Sequence, residues 1–551
     1  MTLVCVPIMV DEPAVALALA QRAREAGADI VEFRIDRLFE GAGDVEGLRA
    51  VIGLVDGSPL PCIVTCRASS EGGEYDGDDA GRVALWEHLG IVGAGATSLH
   101  PTSPPRYIDV EQASYARSAN LRQKVHLAVD HPDQGRDGAP GLILSAHDFN
   151  ARPANLARLL ADMRSGTRAR VLKIAWRARS LRDNLEAFDI LRERDRPTIA
   201  LCMGEFGLMS RVLAPKFGGF LTFASLTDSS VTAPGQPTVK QLLELFRFRG
   251  IGPATRVYGV IGYPLEHSLS PLLHNAGFDA GAGHDGVYLP LPVPAEWEHF
   301  KATLLALLDH APLHFRGASV TLPHKEHLVR LAREDRSRTW RLDALSQRCG
   351  AANTLVVQDD GSCDVLNSDG PAAALALERA GVELPGLRVG VIGAGGVARA
   401  VAAGLMDKGA TVVIYNRSAE RADALVRQLA TPAGPGKIVA APIGNLEKSC
   451  CQVFVNCTPL GMRGGPAPEQ LAVPADQLAA CGSGTVVFDT VYNPVQTPLL
   501  RAAAQAGLTR VDGVTMFVEQ AAIQHEAWTG RPAARQMFDR LIRETLSAPP
   551  S

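Results

Sequence analysis

Along the first 250 residues, short apolar runs alternate with longer stretches in which apolar positions recur every three or four residues. The runs LVCVPIM, DIVEFRID, PCIVTCRA, RYIDVE, GLILSAHDF, RVLKIAW, PTIALCMG and GFLTFAS have the length and side-chain content of buried strands. Segments such as AVALALAQRAREAG and LRDNLEAFDILRER read as amphipathic helices between them. Eight such pairs in about 250 residues predict an α/β fold, a closed parallel (β/α)8 barrel with its reactive groups at the C-terminal ends of the strands.

After the short Gly/Pro-bearing link RGIGPAT the pattern changes. A strand, VYGVIG, leads to YPLEHSLSPLLHNAGF, where Ser268 and Ser270 stand just before a helix with Pro271 near its first turn. Hydroxyls beside a helix N-terminus suit a carboxylate, although a lone serine there reads as an ordinary cap. GASVTLPHKEHL places Lys325 where a strand turns into a helix, GAANTLV carries Asn353, and VLNSDGPAAALALERAG carries Asp369. Lys325 and Asp369 read either as a surface ion pair of little worth or as a proton-handling pair in a cleft. Then LRVGVIGAGGVARAVAAGLMDKGATVVIYNRSAERADAL gives a strand, a glycine turn, a helix and a second strand. In that setting Gly393-x-Gly395-x-x-Ala398, with Ala394 and Gly396 between, is a dinucleotide fingerprint rather than a chance glycine pattern. Roughly 20 residues on, where an NAD site carries an acid, stand Asn416, Arg417 and then Arg421. Cations there accommodate a 2′-phosphate, so NADP is expected rather than NAD.

In the first half one polar residue is out of place. Lys173 interrupts the apolar run RVLKIAW. It is either a lysine whose stem lies along apolar surface, or a buried amine able to attack a carbonyl. Its company favours the second reading. Glu32 and Arg34 end the second strand on one face, Arg67 and Glu71 follow the third, His147 ends the fifth, and Arg211 follows the seventh. Singly, Glu32 and Arg34 read as an ion pair and His147 as structural. Jointly, an amine, an imidazole and several guanidinium groups around one mouth suit imine chemistry on an anionic keto substrate. Apolar flanks and cationic neighbours are expected to keep Lys173 neutral.

Composition narrows the class. The 551 residues are 46% hydrophobic and 21% charged with a net charge of −4, which gives no reason to expect a nucleic-acid partner. Ten cysteines without a C-x-x-C fit reduced core thiols, and Cys450, Cys451 and Cys457 lack partner histidines, so no metal site is expected. No apolar run approaches the roughly 20 residues of a membrane span, and MTLVCVPIMV has no leader character. A cytoplasmic enzyme acting on small molecules is expected, and a monomer is one state the sequence allows.

The ordered motifs EFRID, CRASSEGGE, SAHDF, LKIA, MGEFGLMSR and APGQP make residues 1–247 resemble type I 3-dehydroquinate dehydratase. The resemblance implies that Lys173 forms an imine with the substrate ketone, that His147 removes the adjacent proton and later protonates the departing hydroxyl, and that Glu71 orients the imidazole. It implies substrate contacts for Glu32, Arg34, Arg67, Arg211 and Gln236, with Thr232 where serine is usual. Residues 256 to about 545 resemble shikimate dehydrogenase, including NCTPLGM at Asn456 and DGVTMFVEQAA at Gln520. This implies catalysis by Lys325 and Asp369, substrate binding by Ser268, Ser270, Thr321, Asn353 and Gln520, and a cofactor contact at Asn456. Ser319 replaces a common asparagine, and with the order of the halves this resembles the plant-type fusion. The expected division is a barrel over 1–247, a linker over 248–255, a substrate-binding domain over 256–368 and 512–551, and a Rossmann domain over 369–511. Two rivals are a sensor built on the same folds with dead sites, and an NAD-dependent quinate dehydrogenase. Retained Ser270 and Thr321 favour shikimate over quinate.

Overall fold

Each of the eight apolar runs forms a strand: β1 (Leu3–Met9), β2 (Ile30–Arg34), β3 (Cys62–Thr65), β4 (Tyr107–Glu111), β5 (Gly141–Asp148), β6 (Val171–Arg177), β7 (Thr198–Met203) and β8 (Leu221–Phe223). In this computed structural model, which describes the chain apart from residues 94–98, 131–138, 228–234, 267, 281–282, 431–433 and 548–551, they pair in parallel in the order β7-β6-β5-β4-β3-β2-β1-β8. The gap between β7 and β8 is bridged by the Phe220 N–H, which donates to the Thr198 carbonyl at 2.9 Å. The predicted barrel is borne out.

Strand alternation then decides what fills the interior. Ile30, Ile63, Tyr107, Ile143 and Val171 make an apolar floor. Two residues further along the same strands the inward positions are Glu32, Thr65, Asp109, Ser145 and Lys173, all buried. A further step brings Arg34, Arg67, Glu111 and His147. The barrel is thus a hydrophobic plug beneath two polar layers at its C-terminal mouth, the face on which such barrels carry chemistry.

Residues 1–255 and 256–551 form two compact units. In the second, β9 (Arg256–Gly262), β10 (Gly286–Pro292), β11 (Phe315–Val320), β12 (Trp340–Leu342), β13 (Thr354–Val357) and β14 (Cys363–Leu366) make a sheet of order β10-β9-β11-β13-β14-β12. Only β13 runs antiparallel to its neighbours in it. A second sheet holds β15 (Arg388–Ile392), β16 (Thr411–Asn416), β17 (Lys437–Pro442), β18 (Val453–Asn456), β19 (Val486–Asp489) and β20 (Thr509–Val511). Its order, β17-β16-β15-β18-β19-β20, is all parallel and reverses direction between β15 and β18, the doubly wound arrangement whose crevice binds dinucleotides. Helices Gly513–Thr529 and Arg535–Ser547 return to the first sheet, where Val514, Val518, Phe538 and Ile542 pack on Leu273.

One crossing positions the chemistry. The helix Asp369–Arg379 lies so close to the helix Gly396–Asp407 that a Cβ on Gly404 would stand 2.5 Å from the Gly370 backbone. Only glycine permits that approach. It carries Asp369, in the first turn of one helix, to the side of the helix that opens at the glycine fingerprint. Among the described residues no helix is long and apolar enough to cross a membrane, and no group of three or more His, Cys, Asp or Glu is placed to hold a metal ion.

Candidate active sites

In the barrel, Lys173 is 5% exposed on β6 opposite Ser145 of β5. Its Nζ lies 2.9 Å from Asp109 Oδ2 and 3.2 Å from Glu32 Oε1, above the Phe223 ring at 4.7 Å. The expected cationic surroundings are therefore corrected: the nearest charges are two carboxylates. The reason is energetic, because an unpaired ammonium this deep would cost several kcal/mol, which adjacent carboxylates offset. Arg67 approaches only across Asp109, with Nη2 at 2.9 Å from Oδ1, and its Nη1 donates to Ser145 Oγ at 2.7 Å. Ser145 in turn donates to Asp109 at 2.6 Å. Arg67 is thus engaged in the network below the mouth. Arg34 makes a two-point pair with Asp36, at 2.5 and 3.0 Å, while Glu32 accepts from Thr65 at 2.7 Å. Glu32 and Arg34 do not pair with each other in these bonds.

His147 faces the same mouth one inward step beyond Ser145, its Nδ1 3.2 Å from Glu71 Oε2. With Nδ1 so engaged, Nε2 is the ring nitrogen left for chemistry. Burial, followed by the positive charges of Arg67 and Lys173, pushes the imidazole well below its ordinary value, so it is a neutral base. Burial also pushes the Glu71 carboxyl up to about 7 against the pull of Arg67. For Asp109 burial acts upward, but Arg67 and Lys173 together hold the carboxyl well below the usual range. Asp109 escaped the sequence reading, although an acid inside the buried run YIDVE is the same anomaly as Lys173 in its own strand.

Arg211, on the short helix Leu208–Val212, is 2% exposed and makes no ion pair among the described residues; its Nε has no hydrogen-bond partner. Burial lowers the guanidinium to about 10. Gln236 is buried at the end of the segment that includes Thr232, which lies outside the described residues.

In the second unit a cavity of about 340 Å³ is lined by Ser268, Ser270, Thr321, Lys325, Asp369 and Gln520. Lys325 opens the helix Lys325–Glu334 that follows β11, and its Nζ lies 2.5 Å from Asp369 Oδ2. Asn353 does not reach the lining. It is fully buried behind Asp369, donating from Nδ2 to Asp369 Oδ1 at 2.8 Å while its Oδ1 accepts from the Ser368 N–H at 2.8 Å. Thr490, Tyr492 and Phe517, which the sequence did not single out, also face the cavity.

The glycine turn follows β15. Gly393 has φ of 116°, and a Cβ there would meet the Cys457 carbonyl at 3.0 Å. At Gly395 and Gly396 a Cβ would meet nothing within 4 Å, and no side chain caps the helix that starts there. Open space over uncapped helical amides fits a pyrophosphate. Ala398 is buried against the sheet. Asn416 ends β16, its Nδ2 donating to the Ser418 carbonyl at 2.9 Å. Arg417 and Arg421 are exposed, Arg421 lining a recess of about 280 Å³ with Ala394 and Arg399. Asn456 is fully buried and shapes the turn after β18, donating to Asp489 at 2.9 Å and accepting from the Thr458 hydroxyl at 2.6 Å.

Three family models match the chain: Type I 3-dehydroquinase over residues 4–253, Shikimate dehydrogenase substrate binding domain over 260–355, and Shikimate / quinate 5-dehydrogenase over 374–448. A chloroplastic bifunctional 3-dehydroquinate dehydratase/shikimate dehydrogenase of Arabidopsis thaliana is 36% identical over 558 residues, spanning 98% of this chain and 84% of that protein. A shikimate dehydrogenase (NADP(+)) of Methanosarcina mazei is 38% identical over 296 residues, 53% of this chain and 99% of its own length. Among solved structures, dehydroquinate dehydratase and shikimate dehydrogenase from S. pombe AroM covers 98% of both chains at 24% identity and a TM-score of 0.43.

Proposed function

The chain belongs to the family of bifunctional 3-dehydroquinate dehydratase/shikimate dehydrogenases, and from that premise we propose that it converts 3-dehydroquinate to 3-dehydroshikimate through an imine on Lys173, then reduces the product to shikimate with NADPH. The observation that carries the first step is Lys173, buried between Glu32 and Asp109 beneath a neutral His147. The Lys173 nitrogen, its extra proton handed to Glu32 while Asp109 stays ionised beside Arg67, adds to the substrate ketone, and water departs as the imine forms. Once protonated, the imine withdraws electrons and acidifies the adjacent C–H. His147 Nε2 takes that proton and gives it to the leaving hydroxyl, so that water is expelled across the new double bond. Hydrolysis of the imine restores the amine and frees the product. Glu71 holds the imidazole through Nδ1, and the uncompensated Arg211 is the partner for the substrate carboxylate.

In the second step Ser268 and Ser270 hold the carboxylate and Lys325 faces the reacting carbonyl. Bound NADPH supplies the hydride. Lys325 delivers a proton to the oxygen that becomes the alcohol, Asp369 fixes the ammonium, and Asn353 fixes Asp369. Thr321 and Gln520 complete the wall. Gly393, Gly395 and Gly396 would receive the pyrophosphate, with Arg417 and Arg421 at the 2′-phosphate. Adding 3-dehydroquinate and NADPH to the full chain tests both steps at once. Shikimate should accumulate as NADPH is oxidised, with NADH a poor substitute. Failure to consume dehydroquinate, or preferential oxidation of quinate with NAD, would reject the reading.

A further inference from the structure

Ser319 lines the dehydrogenase cavity from the end of β11 and is 5% exposed. Its hydroxyl has one proton and two lone pairs, and the bonds behind it decide where each points. Gln524, 2% exposed on the helix Gly513–Thr529, places its Nε2 3.1 Å from the Asn353 carbonyl and 3.0 Å from Thr354 Oγ1. A backbone carbonyl only accepts, so the amide nitrogen belongs on that side and Oε1 faces Ser319, at 2.8 Å. An amide oxygen also only accepts. The Ser319 proton is therefore directed inward, to Gln524.

Tyr288, fully buried on β10, brings its hydroxyl to 2.7 Å from Ser319 Oγ. With the serine proton committed, the Tyr288 proton fills one serine lone pair, and Ser270, which also approaches the tyrosine hydroxyl, is left as a donor to it or to a ligand. The tyrosine is itself held. Asn275 bonds both its N–H and its carbonyl at 2.8 Å, and the His274 ring stacks on it at a centroid distance of 4.5 Å. One lone pair of Ser319 remains for the cavity.

We infer that Ser319 is an obligate hydrogen-bond acceptor that reads a non-reacting ring hydroxyl of the substrate, with Tyr288 and Gln524 as positioning residues that enforce this polarity. The inference rests on the dehydrogenase reading above and deepens it. The substrate of that reading carries a carboxylate, a carbonyl and ring hydroxyls. Carboxylate and carbonyl oxygens would present lone pair to lone pair at Ser319, whereas a hydroxyl donates. This wall thus sets how the ring is turned while Ser268 and Ser270 take the carboxylate and Lys325 the reacting oxygen.

The test compares NADP-dependent oxidation of shikimate with that of two analogues, each with fluorine in place of one non-reacting ring hydroxyl; fluorine keeps the size but cannot donate. Wild type should lose about 10- to 100-fold in kcat/KM on one of the two, the effect of leaving a buried acceptor unmet. Ser319→Ala should shrink that ratio to within about three-fold, mainly by raising KM for shikimate. Gln524→Met, which releases the serine proton toward the cavity, should shrink it as well although Ser319 is intact, a change that a merely structural glutamine would not produce. If Gln524→Met does not yield folded protein, Ser319→Ala alone decides. Equal ratios in wild type and Ser319→Ala for both analogues would overturn the inference and leave the dehydrogenase reading standing. Absence of shikimate oxidation in wild type would overturn both.

Discussion

Replacing Arg211 by methionine is expected to weaken substrate binding and to steady the barrel at the same time. The guanidinium is 2% exposed and has no carboxylate partner among the described residues. Burial lowers it from its ordinary value to about 10, which corresponds to roughly 3 kcal/mol of destabilised charge. A substrate carboxylate in two-point contact would recover an interaction of that order, since truncating one member of a buried, hydrogen-bonded charge pair costs about 2–5 kcal/mol. Arg211→Met should therefore raise KM for dehydroquinate about 100-fold, with a smaller change in kcat. Removing an unpaired charge leaves nothing orphaned in the free protein. The sign on stability is thus opposite to that for breaking a buried ion pair, where about 3–5 kcal/mol is lost. The assays are initial rates followed by the conjugated product, and calorimetry of the transition that dehydroquinate shifts. At roughly 2–4 °C per kcal/mol for a unit of this size, the upper bound is a rise of about 10 °C. A KM within two-fold of wild type, or a fall of several degrees in that transition, would show that a partner already compensates Arg211 and would refute the argument.

Lys173→Ala should lower dehydratase kcat at least about 10⁴-fold, and borohydride added during turnover should leave a reduced substrate adduct on Lys173 of the wild type; an unmodified lysine would count against the imine. Glu71 has its carboxyl raised by burial to about 7 in the folded chain, so its contribution to stability is fully present below its unfolded value and is lost as the pH rises through 7. Glu71→Gln should remove that fall, roughly 3 kcal/mol between about pH 4.5 and 7, in matched denaturant titrations; parallel curves for the two proteins would contradict it. Asn353→Leu should reduce dehydrogenase kcat about 10- to 100-fold with little change in KM, because the residue holds Asp369 and does not line the cavity. Changing Arg417 and Arg421 together to serine should raise KM for NADP about 10- to 100-fold and leave the weak use of NAD nearly unchanged, since only the former carries a 2′-phosphate. A uniform loss on both cofactors would place the phosphate elsewhere.

Much of the barrel site was legible because a charge in a buried strand is costly enough to need a reason. That argument found Lys173, and applied to YIDVE it would have found Asp109. It failed on the sign of the surroundings: nothing local to RVLKIAW tells that Glu32, 141 positions away, and Asp109, 64 positions away, supply the countercharge. It also grouped Arg67 with the free substrate ligands, whereas the fold engages it with Asp109 and Ser145. In the second unit the motifs pointed to Lys325 and Asp369, which the fold pairs, and to Asn353, which the fold buries with its amide on Asp369. Tyr492 and Phe517 carry no local signal, and only the fold brings them to the cavity wall.

The sequence by itself determined the periods, and with them the strands, the helices, the glycine turn and the residues able to do chemistry. These depend on interactions within a few positions: alternation along a strand, amphipathic spacing along a helix, the backbone freedom of glycine. Which charge meets which, and which hydroxyl has a proton left to offer, was decided only when distant segments were packed together. The polarity of Ser319 depends on Tyr288 and on Gln524, 205 residues away. Hydrogen bonds and ion pairs are short-ranged and directional, so their partners are fixed by the tertiary structure and not by proximity along the chain.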